Sequence, residues 1–311
     1  MKQIVKKAIT GIVLTTLIYL LACLIINRTY LSGKRAACWI NSQYQRTGGQ
    51  EHRICRDWLG ADQYDILVIG SSHAYRGYDP RVFEQNGLSM YTAGSGFQNT
   101  LATYVLLKDI FTPKKNMVVV IDLFDLTFEG DGIGCYARLI QNVNNRNTAA
   151  ELAWRQPDVR TFNSFMCRVL SDNERMEVPD EPGYLFNGYC PKPDTTQILG
   201  SDVVKSPDFN PRFFEYLREA IRLVKSQGGI PIAVSHPQPK TTTNLKFHDD
   251  FLKLVMPIIK EEGVLYLDYN TQHPLNNNEH FADANHLNQA GVNLFNEILL
   301  TELHSRGILS K

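Results

Sequence analysis

The chain is poor in cysteine, with six in 311 residues, and none of them form a C-x-x-C pair. That excludes a disulfide-scaffolded miniprotein and argues against a structural zinc site. No charge of one sign dominates, since 32 Lys plus Arg face 32 Asp plus Glu. A general nucleic-acid binder usually carries a basic excess, so nucleic acid is not an expected partner. No Walker or dinucleotide glycine pattern follows an apolar run, and no His-x-x-x-His pair occurs. Neither a metal nor a nucleotide cofactor is therefore expected. With 43 % hydrophobic and 21 % charged residues, the chain also lacks the composition of a disordered protein. Long apolar runs are scarce as well, and there is only one.

That run is Ala8 to Ile26, 19 residues without a charge. It is long enough to cross roughly 30 Å of hydrocarbon as a helix. Lys2, Lys6 and Lys7 precede it, and Arg28, Lys34 and Arg35 follow it. No small-residue cleavage motif closes it, so it reads as an uncleaved signal anchor in the lipid bilayer. The alternative is a lipoprotein anchored at Cys23, although apolar Leu24, Ile25 and Ile26 follow that cysteine. The expected layout is a cytoplasmic tail over residues 1–7, a single span over 8–26 and a juxtamembrane linker over 27–60. The remainder, 61–311, is expected outside the cell membrane. Residues 1 to 35 hold six basic residues and no acid, which leaves 26 basic against 32 acidic beyond them. The overall neutrality thus conceals a basic anchor and a domain of net charge −6. The five cysteines beyond the run are an odd number, from which no connectivity follows.

From residue 61 onward, apolar β-rich runs alternate with helical periodicity. The runs are Asp65 to Ile69, Leu88 to Tyr91, Met117 to Ile121, Ile230 to Ser235 and Val264 to Asp268. Asp79-Pro80 and Asn210-Pro211 are helix starts, with a capping side chain before a proline. Helices are expected from Asn99 to Phe111, from Asn210 to Gly228, from Phe251 to Glu262 with Pro257 inside, and from about Asn288 to His304. Strands separated by helices imply parallel pairing with helices on both faces. The expected fold is α/β, a flavodoxin-like three-layer sandwich around a five-stranded parallel sheet, plus the transmembrane helix. Periodicity fades between about 127 and 207, which reads as an insertion or cap.

In open α/β sheets ligands bind beyond the carboxyl ends of the strands. Three unusual clusters sit there: Gly70-Ser71-Ser72-His73 after the first run, Gly94-Ser95-Gly96 after the second, and Asp283-Ala284-Asn285-His286 before the last helix. An Asp three residues before a His can hold one ring nitrogen and leave the other free to take a proton. A serine hydroxyl is a weak nucleophile until such a base stands beside it. Ser72 is the candidate for that role. Each cluster also has a plainer reading. Gly70-Ser71-Ser72 can be a tight turn or an anion-binding nest, and Asp283 or Asn285 can simply cap the last helix.

Ile66-Leu67-Val68-Ile69-Gly70-Ser71-Ser72-His73 resembles the first block of the SGNH (GDSL-like) hydrolase superfamily, with Gly-Ser-Ser in place of Gly-Asp-Ser. Ser95-Gly96 resembles its second block and Asp283-x-x-His286 its last. The resemblance implies Ser72 as nucleophile, His286 as base and Asp283 as its orienting acid. It also implies an oxyanion hole from the N–H groups of Ser72 and Gly96. The third block departs from the pattern. Where the superfamily usually offers Gly-x-Asn-Asp, this chain reads Asp122-Leu123-Phe124-Asp125, so that oxyanion donor is missing or comes from elsewhere.

The Gly-Ser-Ser form, the single span and the missing Asn look most like a membrane-anchored branch. That branch includes teichoic-acid D-alanyl transfer and alginate or peptidoglycan O-acetylation proteins. It implies acyl transfer to or from a cell-envelope polysaccharide, with a multi-pass membrane acyltransferase as a partner. His73, Arg76 and His236 are candidate substrate contacts, and each has an ordinary structural reading. Two rival functions remain at this stage. One is a non-catalytic glycan-binding or assembly protein on the same fold. The other is a domain that binds a phosphorylated ligand at Gly70 to His73, which leaves Asp283 and His286 without a role.

Overall fold

A computed structural model describes residues 1–40, 46–171, 176–178, 183–193, 207–270 and 272–309. The five apolar runs form the strands β1 (Ile66–Ile69), β2 (Met90–Thr92), β3 (Val118–Leu123), β4 (Ile230–Ser235) and β5 (Leu265–Asp268). They make one sheet in the order β2-β1-β3-β4-β5, parallel throughout. The flavodoxin-like order expected from sequence is therefore the one observed. Its topological switch point lies between β1 and β3, where strand order reverses and ligands of such sheets bind. Every residue of β1, β2 and β3 is buried. Helices cover both faces of these strands, which is why the runs are apolar without alternation.

The chain divides into two compact units. One comprises Gly48–Cys135 with Pro179–Lys311, and it holds the sheet. Its helices begin where the capping residues predict. Asp79 accepts the Arg81 N–H, Asn99 the Ala102 N–H, Asn210 the Arg212 N–H and Asn288 the Gly291 N–H. The last helix, Gln289–Ser305, sends Val292, Phe295, Leu299 and Leu303 into the core cluster with Ile66, Val68, Val120 and Ile232. Two elements exceed expectation. The helix expected from Phe251 starts nine residues earlier, at Thr242. Residues Gly49–Arg56, read from sequence as linker, form a short helix with Ile54 fully buried. The Tyr91 hydroxyl donates to the Ile54 carbonyl at 2.8 Å.

The other unit comprises Met1–Thr47 with Tyr136–Val178. Its first helix, Lys2–Arg28, is long and apolar enough to cross a membrane. Tyr19 donates to Asn163 Oδ1 at 2.7 Å and Asn27 lies 3.4 Å from the Cys167 thiol, so helix Val159–Ser171 runs along its second half. Arg168 is buried and donates to the carbonyls of Ile140 and Val143, at the carboxyl end of helix Tyr136–Asn142. A cation there satisfies carbonyls that the helix leaves unpaired. Much of the stretch that reads from sequence as a periodicity-poor insertion is thus helical. Residues 172–175, 179–182 and 194–206 of that stretch lie outside the described residues. All six cysteines are present as thiols.

Candidate active site

β1 ends at Ile69, and Gly70 lets its backbone approach β3 closely. A Cβ on Gly70 would lie 2.7 Å from the Asp122 carbonyl oxygen, well inside contact distance. Gly94 plays the same part from the β2 side, where a Cβ would lie 2.5 Å from the Ser71 carbonyl oxygen. Between them the chain turns into the short helix Ser72–Gly77. The two adjacent serines divide two tasks. Ser71 is buried and caps that helix, its hydroxyl accepting the His73 N–H at 3.3 Å. Ser72 is half-buried, and its Oγ lies 2.8 Å from His286 Nε2. As the first helical residue, Ser72 has a backbone N–H without an intrahelical acceptor.

His286 sits in a loop pinched by a bridge between Phe281 and Leu287, with the Ala282 N–H donating to the His286 carbonyl at 2.8 Å. Neither Asp283 nor Asn285 caps the last helix, because Asn288 does. Asp283 instead turns back into its own loop. Its Oδ1 accepts the N–H groups of Asn285 at 2.9 Å and His286 at 2.8 Å. Both of its carboxylate oxygens lie 3.0 Å from His286 Nδ1. Lys192 Nζ adds an ion pair to Oδ2 at 3.1 Å. Half-burial pushes the Asp283 carboxyl upward, but the His286 ring and the two backbone donors outweigh it. They hold the group well below the usual carboxylate range. A permanently ionised Asp283 fixes the proton on Nδ1 and leaves the Nε2 lone pair facing the Ser72 hydroxyl.

The other residues read from sequence fall in different places. Gly96 lies half-buried at the rim of the β2 loop. That loop is tied to the end of β1 by the Ser95 N–H on the Gly70 carbonyl at 3.2 Å. His73 is fully buried behind the triad and His236 is 1 % exposed, so neither is available to substrate in this conformation. Burial pushes His236 down to about 3, so it is neutral. Arg76 is 9 % exposed, lies over the Tyr75 ring and donates to the carbonyls of Cys190 and Pro191. Arg76 thereby fastens the segment that delivers Lys192 to Asp283. Nothing local in the sequence marks Lys192, because its partner is 91 positions away in a separate loop. At the end of β3, where the missing Asn would stand, Phe124 packs its ring 4.1 Å from that of His73. Among the described residues no cluster of His, Cys, Asp and Glu could hold a metal ion.

No family model matches the chain, and no curated protein matches it. Among solved structures it is similar to a GDSL-like lipase from Bacteroides thetaiotaomicron. Identity there is 11 %, over 85 % of this chain and 90 % of that one, with a TM-score of 0.39. It is also similar to a catalytic variant of an acetylxylan esterase from Geobacillus stearothermophilus, at 12 % identity over 79 % and 95 % with a TM-score of 0.41. An α/β hydrolase from a Lake Arreo metagenome gives 13 %, 79 %, 96 % and 0.39.

Proposed function

We propose that this protein is a serine-dependent esterase or acyltransferase, with Ser72 as nucleophile, His286 as general base and Asp283 as its orienting acid. One observation carries the reading. Ser72 Oγ lies 2.8 Å from His286 Nε2, while both Asp283 oxygens lie 3.0 Å from Nδ1. Ser72 meets a His and an Asp more than two hundred positions away with a proton path between them, on the ligand-binding edge of the sheet.

In the first half-reaction Ser72 Oγ attacks the carbonyl carbon of an ester as His286 Nε2 takes its proton. The tetrahedral oxyanion is received by the N–H groups of Ser72 and Gly96. The C–O bond to the leaving alcohol breaks, that alcohol takes the proton from His286, and the acyl group stays on Ser72. In the second half an acceptor hydroxyl or water gives its proton to His286 and attacks the acyl-enzyme. The intermediate collapses to the new ester or the acid, and Ser72 regains its proton. No step needs a cofactor.

The substrate class follows from placement. The helix Lys2–Arg28 would anchor the chain in the cell membrane, with the sheet and the candidate site outside. The acyl group, acetyl by this reading, would then pass to or from a cell-envelope polysaccharide, with a multi-pass membrane acyltransferase as a partner. Phe124 in place of an Asn donor favours a second reading, a glycan-binding protein without turnover, since losing one oxyanion donor costs about a hundredfold or more in rate. The test uses the full chain in detergent with a fluorophosphonate probe and an acetyl ester. Labelling that is present in wild type and absent in Ser72→Ala is the expected result. A folded wild type that neither labels nor turns over, alone or with membranes, overturns the enzyme and leaves the glycan-binding reading.

A further inference from the structure

The nucleophile and the base belong to elements 214 positions apart in sequence. Something must hold them at hydrogen-bond distance, because a misplacement of about 1 Å can cost roughly a hundredfold in rate. The residue next to each bears on this. His73 follows Ser72 and Asn285 precedes His286. His73 Nε2 lies 2.7 Å from the Asn285 carbonyl oxygen. A carbonyl oxygen only accepts, so the ring proton must be on Nε2. Nδ1 is then an acceptor, and the Ser71 hydroxyl stands 3.1 Å from it. The His73 ring also lies nearly parallel to that of His286, with centroids 5.0 Å apart and planes inclined by 16°. Phe124 and His236 pack on its other sides, and the Gln238 side-chain amide lies 3.0 Å from Nε2, where an Nε2–H requires the amide to present its oxygen to the ring. The fully buried ring has no room to turn, and the Asn285 carbonyl sets its tautomer.

We propose that His73 is a positioning residue, a neutral imidazole clamp that holds the base loop against the nucleophile turn through the Asn285 carbonyl. This inference rests on the triad reading above. The clamp has to stay neutral. A second positive charge 5.0 Å from His286 would oppose the imidazolium that forms there during each half-reaction. Burial, with His236 and His286 alongside, keeps the ring well below its ordinary value.

Two variants and one spectrum test the clamp. His73→Phe keeps a ring against His286 but loses the bond to Asn285, whereas His73→Gln keeps an N–H donor. For the full chain, kcat on an acetyl ester is expected to fall about 10- to 100-fold in His73→Phe, with KM within about twofold and the melting temperature near that of wild type. His73→Gln should recover a substantial part of that loss. A His73→Phe protein that matches wild type in kcat overturns the clamp, and so does one whose loss lies in KM. If wild type itself shows no turnover, the triad reading fails separately, and nitrogen-15 imidazole spectra still decide His73. Nε2–H with a bare Nδ1, unchanged between pH 5 and 8, together with a downfield His286 Nδ1–H resonance that broadens in His73→Phe, supports the clamp. The opposite tautomer, a titrating His73, or an unaltered His286 resonance in that variant overturns it.

Discussion

Asp283 shows how much chemistry a single side chain carries at this site. Its carboxylate meets both a ring and two backbone donors, so it has no freedom to rotate away. Asp283→Asn would keep the shape but present an amide to Nδ1, and the imidazole would flip to the tautomer that cannot accept the serine proton. The expected loss is about 10³- to 10⁴-fold in kcat with KM little changed, read by steady-state kinetics on an acetyl ester. A loss below tenfold would mean that the carboxylate only shapes the loop. Gly70 makes a complementary case in which backbone alone decides. Gly70→Ala sets a methyl 2.7 Å from the Asp122 carbonyl oxygen, and that atom is backbone and cannot swing aside. We expect destabilisation of roughly 1 to 3 kcal/mol by chemical denaturation, with loss of labelling at Ser72 as the turn shifts. At this scale the sequence was legible wherever neighbours in the chain are also neighbours in the site. Asp283 and His286 are three apart, and Gly70 to Ser72 are contiguous. Lys192 and the inward turn of His73 were not legible, because both depend on a partner in a distant loop.

Elements were legible in proportion to how completely their buried face is apolar. The five strands fall within two residues of their expected limits because the runs are apolar and bounded by Gly, Pro or a charge. Helix Thr242–Glu262 begins upstream of its expected start because its stripe of Phe251, Val255 and Ile258 continues into a histidine. His248 is fully buried at that position. Its Nδ1 lies 2.7 Å from Asp125 Oδ2, and its Nε2 lies 3.1 Å from Asp268 Oδ1 at the end of β5. A polar residue takes an apolar place because two carboxylates from remote elements satisfy it. Helices Tyr136–Asn142, Arg146–Arg155 and Val159–Ser171 are masked in the sequence for a related reason, as buried Gln141, Thr148 and Arg168 break their apolar patterns.

The His248 junction predicts an alkaline weakness. Burial alone would lower His248, but hydrogen bonds and charge from Asp125 and Asp268 raise it to about 9. Asp125 is also raised, by burial first, with His248 pulling the other way. Both groups thus favour protons in the folded state. The stability that His248 contributes is complete below its unfolded value of about 6.5 and is lost as pH climbs through about 9. The shift corresponds to roughly 3 kcal/mol. His248→Gln should lower stability most near pH 6.5, and the gap to wild type should shrink towards pH 10. Denaturant melts of both proteins at five pH values would measure it. A gap independent of pH would mean that His248 is neutral in the fold.

At the scale of the whole molecule, the distribution of charge separates two ways of being held at a membrane. Six basic residues and no acid lie within the first 35 positions, while the remainder carries −6. A domain of that sign would be repelled by anionic lipid headgroups, so the attachment proposed above would come from the N-terminal segment and from apolar burial rather than from surface charge. Helix Lys2–Arg28 supplies the apolar length. An electrostatic attachment would be stripped by salt and alkaline carbonate, whereas a spanning helix resists both. We therefore expect the full chain to stay with the membrane pellet after carbonate washes and after 1 M salt, which shortens the screening length from about 8 to about 3 Å. Deletion of residues 2–26 should release it. Cys23→Ala separates the span from a lipid anchor on that cysteine, since a spanning helix keeps its attachment and a lipoprotein loses it. Protease added outside intact spheroplasts should then remove the domain that carries Ser72. Protection of that domain would place the candidate site in the cytoplasm, away from any envelope polysaccharide, and the substrate class proposed above would fall while the triad chemistry stood.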